Sequence, residues 1–205
     1  LVIRRQRQMC IRDRFLSVGM NVRLLGPLPT PGVAYLTKSF RNQCGVVISA
    51  SHNDYHDNGI KIFDNYGVKI DRKIEMMIEN ILSEEITSLP SVQIGKAKRF
   101  DESGPRYVEF CKSTVPDEIS FTNLRIVLDC ANGASYKVSP DVFNELGAET
   151  IVVGDNPDGF NINQECGSTN PELVQKLVKK HRADFGVSLD GCLLYTSPSP
   201  RDGRI

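Results

Sequence analysis

The sequence predicts an α/β protein of two consecutive domains, each with a mixed or mainly parallel sheet. Short runs of apolar and β-branched residues alternate along the chain with amphipathic segments that are long enough to be helices. Strands that alternate with helices favour βαβ units, in which neighbouring strands run parallel. A polar stretch that begins with proline, residues 116–123, interrupts the alternation and is predicted to link the two domains.

In the first half of the chain, apolar runs bounded by turn residues predict short strands. These runs are residues 22–25, 46–49, 60–63 and 68–70. The last two flank Asp64-Asn65-Tyr66-Gly67, which predicts a hairpin turn. Helices are predicted at residues 31–41, 72–85 and 103–115. Thr30 and Asp71 are the predicted N-caps of the first two helices, because their side chains can accept hydrogen bonds from free backbone N–H groups.

The helix after Asp71 carries one continuous apolar stripe. Its members recur at helical spacing and are Ile74, Met77, Ile78, Ile81 and Leu82. We expect the Met76-Met77 pair on this helix to be core packing and not a cofactor contact.

The second half repeats the alternation of strands and helices. Strands are predicted at residues 124–129, 149–153 and 185–189, and helices at 139–146 and 171–181. Gly147 is predicted to end the first of these helices and Asn170 to cap the second. The polar connection at residues 86–102 has room for one short strand.

Composition excludes several classes of protein. The 205 residues carry 25 basic and 25 acidic side chains, and no apolar run is long enough to span a membrane. Without the two chain ends, residues 15–191 keep 18 basic and 23 acidic side chains. That balance predicts no nucleic-acid partner and no membrane partner. The cysteines lack C-x-x-C spacing, and we expect Cys44, Cys111, Cys130 and Cys166 to be buried thiols of a cytoplasmic protein.

The strongest functional signal lies between Gly45 and Phe63, in GVVISASHNDYHDNGIKIF. A β-branched run ends abruptly in small and polar residues, which predicts a buried strand that delivers Ser51 into a loop. A serine presented in this way can act as a nucleophile or carry a phosphate. His52 follows it directly, and Lys61 lies in the next apolar run, so imidazole and ammonium groups suited to handling phosphate converge there. The alternative is turn chemistry, in which serine, histidine and asparagine only bond nearby backbone.

Asp190 is the second candidate site residue. It follows the apolar strand predicted at residues 185–189, and ligands of open α/β sheets bind outside the carboxyl ends of strands. A carboxylate there suits Mg²⁺, which prefers oxygen ligands. The alternative is an aspartate that only caps a turn with Gly191. Two alternatives also stay open in the serine segment. His52 can be a hydrogen-bonding residue that positions Ser51, and Lys61 can be a solvated lysine at a strand edge.

Several motifs together carry a resemblance to a known family. They are Ser49-Ala50-Ser51-His52-Asn53, Asp57-Asn58-Gly59-Ile60-Lys61, Gly26-Pro27-Leu28-Pro29-Thr30-Pro31, Leu128-Asp129-Cys130-Ala131-Asn132-Gly133-Ala134 and Pro157-Asp158-Gly159-Phe160-Asn161-Ile162-Asn163. In this order they resemble the α-D-phosphohexomutase superfamily and, within it, the phosphoglucosamine mutase branch. The resemblance covers about residues 15–191. It implies two phosphohexomutase domains, residues 15–116 with the phosphoserine loop and residues 117–191 with the start of the metal loop. Both domains would be partial.

The resemblance also implies a reaction and its residues. Ser51 would carry the phosphoryl group, and His52 and Lys61 would assist its transfer. Mg²⁺ would be held by the phosphorylated Ser51 and by an aspartate loop that starts at Asp190. The substrate would be a phosphosugar, glucosamine 6-phosphate or glucosamine 1-phosphate, interconverted through a bisphosphate. The alternatives are a phosphomannomutase/phosphoglucomutase of the same superfamily and a non-catalytic remnant that bears the serine.

The chain departs from the family pattern at a few positions. Asp54 replaces a proline of the serine loop, and Cys192 stands where the second aspartate of the metal loop is expected. Residues 1–14 carry five arginines, and residues 192–205 are rich in turn residues. We expect both ends to be artefacts of translated adapter sequence that pack poorly, and the fragment itself to be inactive. Nothing in the sequence predicts an oligomeric state.

Overall fold

The computed structural model describes residues 2–49, 59–85 and 87–192, with side chains from residue 8 onward. The described residues fall into two compact units. The first unit comprises residues 2–28, 32–49 and 59–107, and the second comprises residues 29–31 and 108–192.

Helices and strands alternate along most of the chain, as predicted. Up to residue 113 the elements are α1 (Val2–Ser17), β1 (Val22–Leu24), α2 (Thr30–Ser39), β2 (Gly45–Ile48), β3 (Ile60–Phe63), α3 (Arg72–Ile81), β4 (Ala97–Arg99) and α4 (Ser103–Ser113). From residue 125 they are β5 (Arg125–Asp129), α5 (Val138–Glu145), β6 (Glu149–Val153), α6 (Glu172–His181) and β7 (Phe185–Ser188).

The first unit contains two small sheets. β1 and β4 pair in parallel, which confirms the short strand expected within residues 86–102. β2 and β3 pair antiparallel, with Gly45 opposite Phe63 and Ile48 opposite Ile60. Leu36 of α2 and Phe63 of β3 are among the buried side chains of this unit. The strand that leads to the serine loop therefore belongs to an antiparallel pair and not to a βαβ unit.

A tight turn follows β3 where the sequence predicts a hairpin. Asp64 Oδ1 accepts hydrogen bonds from the backbone N–H groups of Tyr66 and Val68, both at 2.9 Å. Gly67 has a φ of 76°, which glycine adopts at little cost. The returning segment forms a single bridge, between Phe63 and Lys69, so the predicted strand at residues 68–70 is reduced to one paired residue.

α3 confirms its predicted cap but not its predicted packing. Asp71 accepts a hydrogen bond from the Ile74 N–H at 2.9 Å, as an N-cap does. None of the residues of α3 is buried, and Met77 and Leu82 are 59% and 75% exposed. Met76 is exposed as well, so the expectation that the Met76-Met77 pair packs in the core is wrong. The periodicity predicted the helix correctly, but among the described residues no other element covers that face.

The second unit is a three-stranded parallel sheet in the order β6-β5-β7. Arg125 of β5 lies opposite Glu149 of β6, and Ile126 lies opposite Phe185 of β7. Ile126, Val127 and Leu128 are fully buried in the central strand. Because all three strands run in the same direction, their carboxyl ends meet at one edge of the sheet.

The helix ends of the second unit are set by local geometry. α5 is followed by Gly147 with a φ of 100°, which confirms the predicted stop. α6 has Pro171 at its N-cap and no side-chain capping bond, so the prediction that Asn170 caps this helix is wrong. Proline restrains φ to a value near that of a helix, and it therefore takes the position next to the first turn.

The two chain ends behave differently. Residues 2–14 form most of α1, in which Met9 and Cys10 are exposed. Cys192 is only 2% exposed, and its Sγ lies 2.7 Å from Oγ1 of Thr30, which also belongs to the second unit. The expectation of poor packing is therefore wrong at Cys192, and residues 193–205 lie outside the described part. Among the described helices, none is long and apolar enough to cross a membrane.

Candidate active site

Ser49 and Gly59, the described residues on either side of the serine loop, lie side by side, and we call this closely spaced pair the neck. β2 and β3 stay paired up to Ile48 and Ile60. Just beyond them, the Ser49 N–H donates a hydrogen bond to the Gly59 carbonyl at 2.9 Å. Ser49 and Gly59 are therefore neighbours at the end of one antiparallel pair. Ser51 and His52 themselves lie outside the described residues.

Gly59 closes this neck tightly. A Cβ placed on Gly59 would lie 2.8 Å from the carbonyl oxygen of Ser49. That separation is shorter than an ordinary carbon–oxygen contact, so any larger residue has to push the two strands apart. The glycine of the D-N-G-I-K motif thus has a steric reason to be there.

Lys61 lies on β3, one residue past the first paired position after the loop. It is opposite Val47 in the antiparallel register and is half-buried. Paired strand backbone on this side of the loop holds the lysine close to the neck. The alternative of a freely solvated lysine is weakened by its partial burial, and its catalytic role stays a prediction.

Asp190 lies at the carboxyl edge of the second unit, two residues after β7 ends. It is half-buried, and its Oδ2 accepts a hydrogen bond from the Cys192 N–H at 3.1 Å. This bond closes a turn at Asp190 and Gly191, as expected if the aspartate caps a turn. The structure thus places Asp190 at the strand end where the sequence predicts it.

The backbone after Asp190 is held by the loop that follows β5. The Ala134 N–H donates to the Gly191 carbonyl at 3.0 Å. A Cβ on Gly133 would lie 2.5 Å from that same carbonyl oxygen, so glycine is required for the approach. Ala131 and Asn132 of this loop both have positive φ, 54° and 48°, a conformation that is uncommon for residues with side chains.

The longer loop between β6 and α6 is tied to the same edge of the sheet. The Asn132 side chain donates to the Asn161 carbonyl at 3.2 Å and accepts from the Asn156 N–H at 3.1 Å. Asp158 Oδ1 accepts from the N–H groups of Phe160 and Asn161, at 2.7 and 3.0 Å. Two motifs that are far apart in sequence, around Asn132 and around Asp158, therefore form one hydrogen-bonded loop cluster.

Asp129 is a site residue to which the sequence analysis assigned no role. Its carboxylate is fully buried at the end of β5 and accepts backbone hydrogen bonds through both oxygens. The available signal was a carboxylate directly after the apolar run Ile126-Val127-Leu128 and before an Asn-Gly pair. A buried carboxylate is costly unless it is hydrogen-bonded, so its presence indicates a structural or functional need.

The buried cysteines of this region are not competing nucleophiles. Burial raises the pKa of Cys130 to about 12, with a further contribution from the charge of Asp155. Burial also raises the pKa of Cys166, and the charge of Asp129 adds to the effect. Because the thiolate is the reactive form, both thiols stay protonated and unreactive at neutral pH. Cys44 and Cys111 are half-buried, so the expectation of buried thiols is wrong for those two.

The described residues do not by themselves build a magnesium site. Within residues 2–49, 59–85 and 87–192, no group of three or more histidine, cysteine, aspartate or glutamate side chains is arranged to hold a metal ion. Asp190 supplies one carboxylate, whereas magnesium is held by near-ideal octahedral oxygen ligation. Cys192, where the second aspartate is expected, is buried against Thr30.

Comparison with known families identifies the class of the protein. A family model described as phosphoglucomutase/phosphomannomutase, alpha/beta/alpha domain I, matches residues 8–88. The model of alpha/beta/alpha domain II of the same family matches residues 105–191. The chain belongs to the phosphoglucomutase/phosphomannomutase family of phosphohexomutases, which confirms the predicted fold class of two consecutive α/β domains.

The similar curated proteins narrow the class further. The chain is 52% identical over 177 residues to a phosphoglucosamine mutase of Chromobacterium violaceum, which covers 86% of the chain and 40% of that protein. It is 53% identical over 175 residues to a phosphoglucosamine mutase of Legionella pneumophila, with 85% and 38% covered. The chain thus spans about 40% of the length of the curated relatives it matches. These relatives are isomerases of the phosphohexomutase superfamily.

Solved structures share the fold at low sequence identity. A putative phosphomannomutase from Thermus thermophilus has a TM-score of 0.76 at 22% identity, covering 89% of this chain and 42% of that one. A phosphoglucomutase/phosphomannomutase family protein from Burkholderia thailandensis has a TM-score of 0.71 at 23% identity, with 90% and 41% covered. At this identity the likeness concerns the fold alone.

Proposed function

We propose that the protein to which this chain belongs interconverts glucosamine 6-phosphate and glucosamine 1-phosphate through a phosphoserine at Ser51 and a bisphosphate intermediate. The observation that carries the proposal is 52% identity to a phosphoglucosamine mutase over 177 residues, which are 86% of the chain and include the serine loop. The neck between Ser49 and Gly59 adds physical support. It anchors both ends of a short loop on paired strands, and such anchoring suits a residue that must carry a phosphoryl group to a fixed place.

The proposed reaction has two balanced transfers. In the first, the bond between phosphorus and Ser51 Oγ breaks while the sugar O1 bonds to the phosphorus, and the O1 proton moves to the serine oxygen. The product is glucosamine 1,6-bisphosphate. The bisphosphate then reorients in the site. Ser51 Oγ attacks the phosphorus on O6, and the serine proton passes to O6. Glucosamine 1-phosphate leaves, and the phosphoserine is restored.

The side chains near Ser51 have proposed roles in these transfers. Lys61 would stabilise negative charge that develops on the transferred phosphoryl group, because positioning and charge neutralisation supply most of the catalysis in phosphoryl transfer. His52 would carry the proton between the sugar hydroxyl and the serine oxygen. For Mg²⁺, we propose only that Asp190 and a phosphorylated Ser51 contribute ligands in the longer protein.

A second candidate function is that of a phosphomannomutase or phosphoglucomutase. The two family models that match the chain are named for both activities, which favours this candidate. The two candidates share the phosphoserine chemistry and differ in the sugar. A third possibility, a remnant that bears the serine without catalysis, predicts phosphate binding at most. The proposed substrate is a phosphosugar in every catalytic case, and a cytoplasmic location stays a prediction.

The test uses a grafted enzyme, in which residues 15–191 of this chain replace the matching segment of the Chromobacterium violaceum phosphoglucosamine mutase. We expect it to convert glucosamine 6-phosphate to glucosamine 1-phosphate, because the grafted segment supplies the phosphoserine chemistry and the host supplies the remaining domains. Ser51→Ala should reduce turnover to background, because the phosphoryl carrier is lost. The matched control is Ser83→Ala, an exposed serine after α3 whose loss should leave turnover unchanged. Full activity of Ser51→Ala would refute the phosphoserine assignment, and no turnover by the unsubstituted graft would refute the proposed function.

A further inference from the structure

The carboxylate of Asp129 has no role in the mechanism above, yet it is completely buried at the end of the central strand. Its Oδ1 accepts from the Ala131 N–H at 2.8 Å, and its Oδ2 accepts from the Gly167 N–H at 2.6 Å. Gly154 packs so closely that a Cβ there would lie 2.7 Å from Oδ1. Asp129 therefore ties together the loops that follow β5 and β6, with short bonds of the kind that ionised acceptors make.

These bonds lead directly to the residue before Asp190. The Leu189 N–H donates to the Asp129 backbone carbonyl at 2.9 Å. The Leu189 carbonyl accepts from the Ser168 N–H at 3.1 Å, and Ser168 is the neighbour of Gly167. Both backbone groups of Leu189 are thus held by Asp129 or by the segment that the Asp129 carboxylate fixes.

The residue after Asp190 is held by the other loop that Asp129 fixes. Gly191 accepts from the Ala134 N–H at 3.0 Å, within the loop whose turn begins at Ala131. Gly167 has a φ of 84°, and a Cβ on it would lie 2.8 Å from Cβ of Ala131, so the two loops fixed by the carboxylate also touch. The backbone on both sides of Asp190 is therefore hydrogen-bonded to Asp129 or to the loops that its carboxylate fixes. We call this set of bonds to Leu189 and Gly191 the clamp.

We propose that Asp129 is a positioning residue that holds Asp190 at its place in the phosphoryl-transfer site. The proposal rests on the proposed function for its catalytic consequence, while the clamp itself is a property of the second unit. The side chain must accept hydrogen bonds through both of its oxygens, which a carboxylate does. In Asp129→Asn one oxygen becomes an NH₂ group, which faces a backbone N–H and cannot bond it. The side chain keeps its size, so the variant removes one bond without opening a cavity.

The decisive experiment is amide hydrogen exchange by NMR on the 205-residue chain. Asp129→Asn should speed the exchange of Gly167, Ser168 and Leu189 by at least about tenfold, because a hydrogen bond to a charged group is lost. The matched control is Asp184→Asn, in the same sheet. Asp184 Oδ2 accepts from the Arg125 N–H at 2.8 Å, at the opposite end of the strand. The control keeps a side-chain oxygen that can accept from the Arg125 N–H, so exchange at both Arg125 and Leu189 should match that of the unsubstituted chain. Unchanged protection of Leu189 in Asp129→Asn would overturn the proposal.

The unsubstituted chain provides a readout that holds even if Asp129→Asn fails to fold. If the carboxylate organises the clamp, then Gly167, Ser168 and Leu189 open together. After correction for intrinsic rates, their amides should exchange with one common protection factor. A Leu189 amide that stays protected while Gly167 exchanges freely would show that the strand end is held without the carboxylate, and the proposal would be wrong.

The catalytic consequence is measured in the grafted enzyme. Asp129→Asn should lower kcat by about ten- to a hundredfold, the loss that accompanies a misplacement of about 1 Å in a catalytic site, with an unchanged KM for the phosphosugar. Asp184→Asn should alter neither constant. If the grafted enzyme without substitutions is inactive, the proposed function fails while the exchange experiment still judges the clamp. A kcat that is unchanged in a folded Asp129→Asn variant would refute the positioning role.

Discussion

Replacing Gly59 by alanine tests whether the neck of the serine loop sets the rate of phosphoryl transfer. The added Cβ would lie 2.8 Å from the Ser49 carbonyl oxygen, and φ at Gly59 is not in the left-handed region, so the effect is steric alone. Restoring an ordinary contact requires a shift of about 0.5 Å. The same shift lengthens the bond between the Ser49 N–H and the Gly59 carbonyl beyond its present 2.9 Å.

The magnitude follows from these two effects. Weakening one backbone hydrogen bond costs about 1 kcal/mol in the free energy of unfolding. A misplacement of about 1 Å in a catalytic group costs about a hundredfold in rate, so half of it predicts a loss of about tenfold in kcat. The variant should still fold, because β2 and β3 keep their four paired positions, and the larger effect should appear in kcat.

The assay measures kcat of the grafted enzyme with glucosamine 6-phosphate, together with urea unfolding of the same variants. The matched control is Gly104→Ala in α4, where an added Cβ meets no atom within 4 Å. This control should keep its kcat and gain up to about 1 kcal/mol in stability from the better helix propensity of alanine. A folded Gly59→Ala variant with the kcat of the unsubstituted enzyme would refute the claim that the neck positions the serine.

Three further predictions concern activity, pH and capping. The 205-residue chain alone should show only background mutase turnover in a coupled assay with Mg²⁺. At the predicted magnesium site its described residues offer only the carboxylate of Asp190, and the chain spans 40% of the length of its relative. Turnover like that of an intact relative would contradict this prediction. The free energy of unfolding should fall as pH rises from 9 toward 12, by up to about 1.4 kcal/mol per pH unit, because the unfolded state loses the Cys130 proton before the native state does. Cys130→Ala should remove this component from the pH titration, and an identical slope would exclude it. Asp71→Ala should cost about 1 kcal/mol in urea unfolding and Asp71→Asn only a few tenths, since asparagine also caps helices; equal losses would show that the cap bond to Ile74 contributes nothing.

The parts of the fold that depend on local signals could be predicted from the sequence. The strand around Val127, the cap at Asp71 and the stop at Gly147 each follow from residues within one or two turns of the chain. Asp190 was placed correctly because its position after a strand is also a local property. Local chemistry determines these features, and tertiary packing does not override it.

The parts that depend on distant partners could not be predicted. Periodicity marks α3 as amphipathic but does not say what covers the face around Met77, and the structure leaves that face exposed. β2 and β3 are consecutive in the chain and pair antiparallel, whereas the alternation of strands and helices favours parallel pairing. The role of Asp129 depends on Gly167, which lies 38 residues away, and no local pattern marks that contact.

The most direct test of the central claim is the identity of the residue that receives the phosphoryl group. The grafted enzyme is incubated with glucosamine 1,6-bisphosphate that carries labelled phosphate, digested, and sequenced by mass spectrometry. We expect the label on Ser51, in the loop that begins after Ser49 and ends before Gly59, and no label in Ser51→Ala. Label on Ser49, or an active enzyme that carries no label on Ser51, would contradict it.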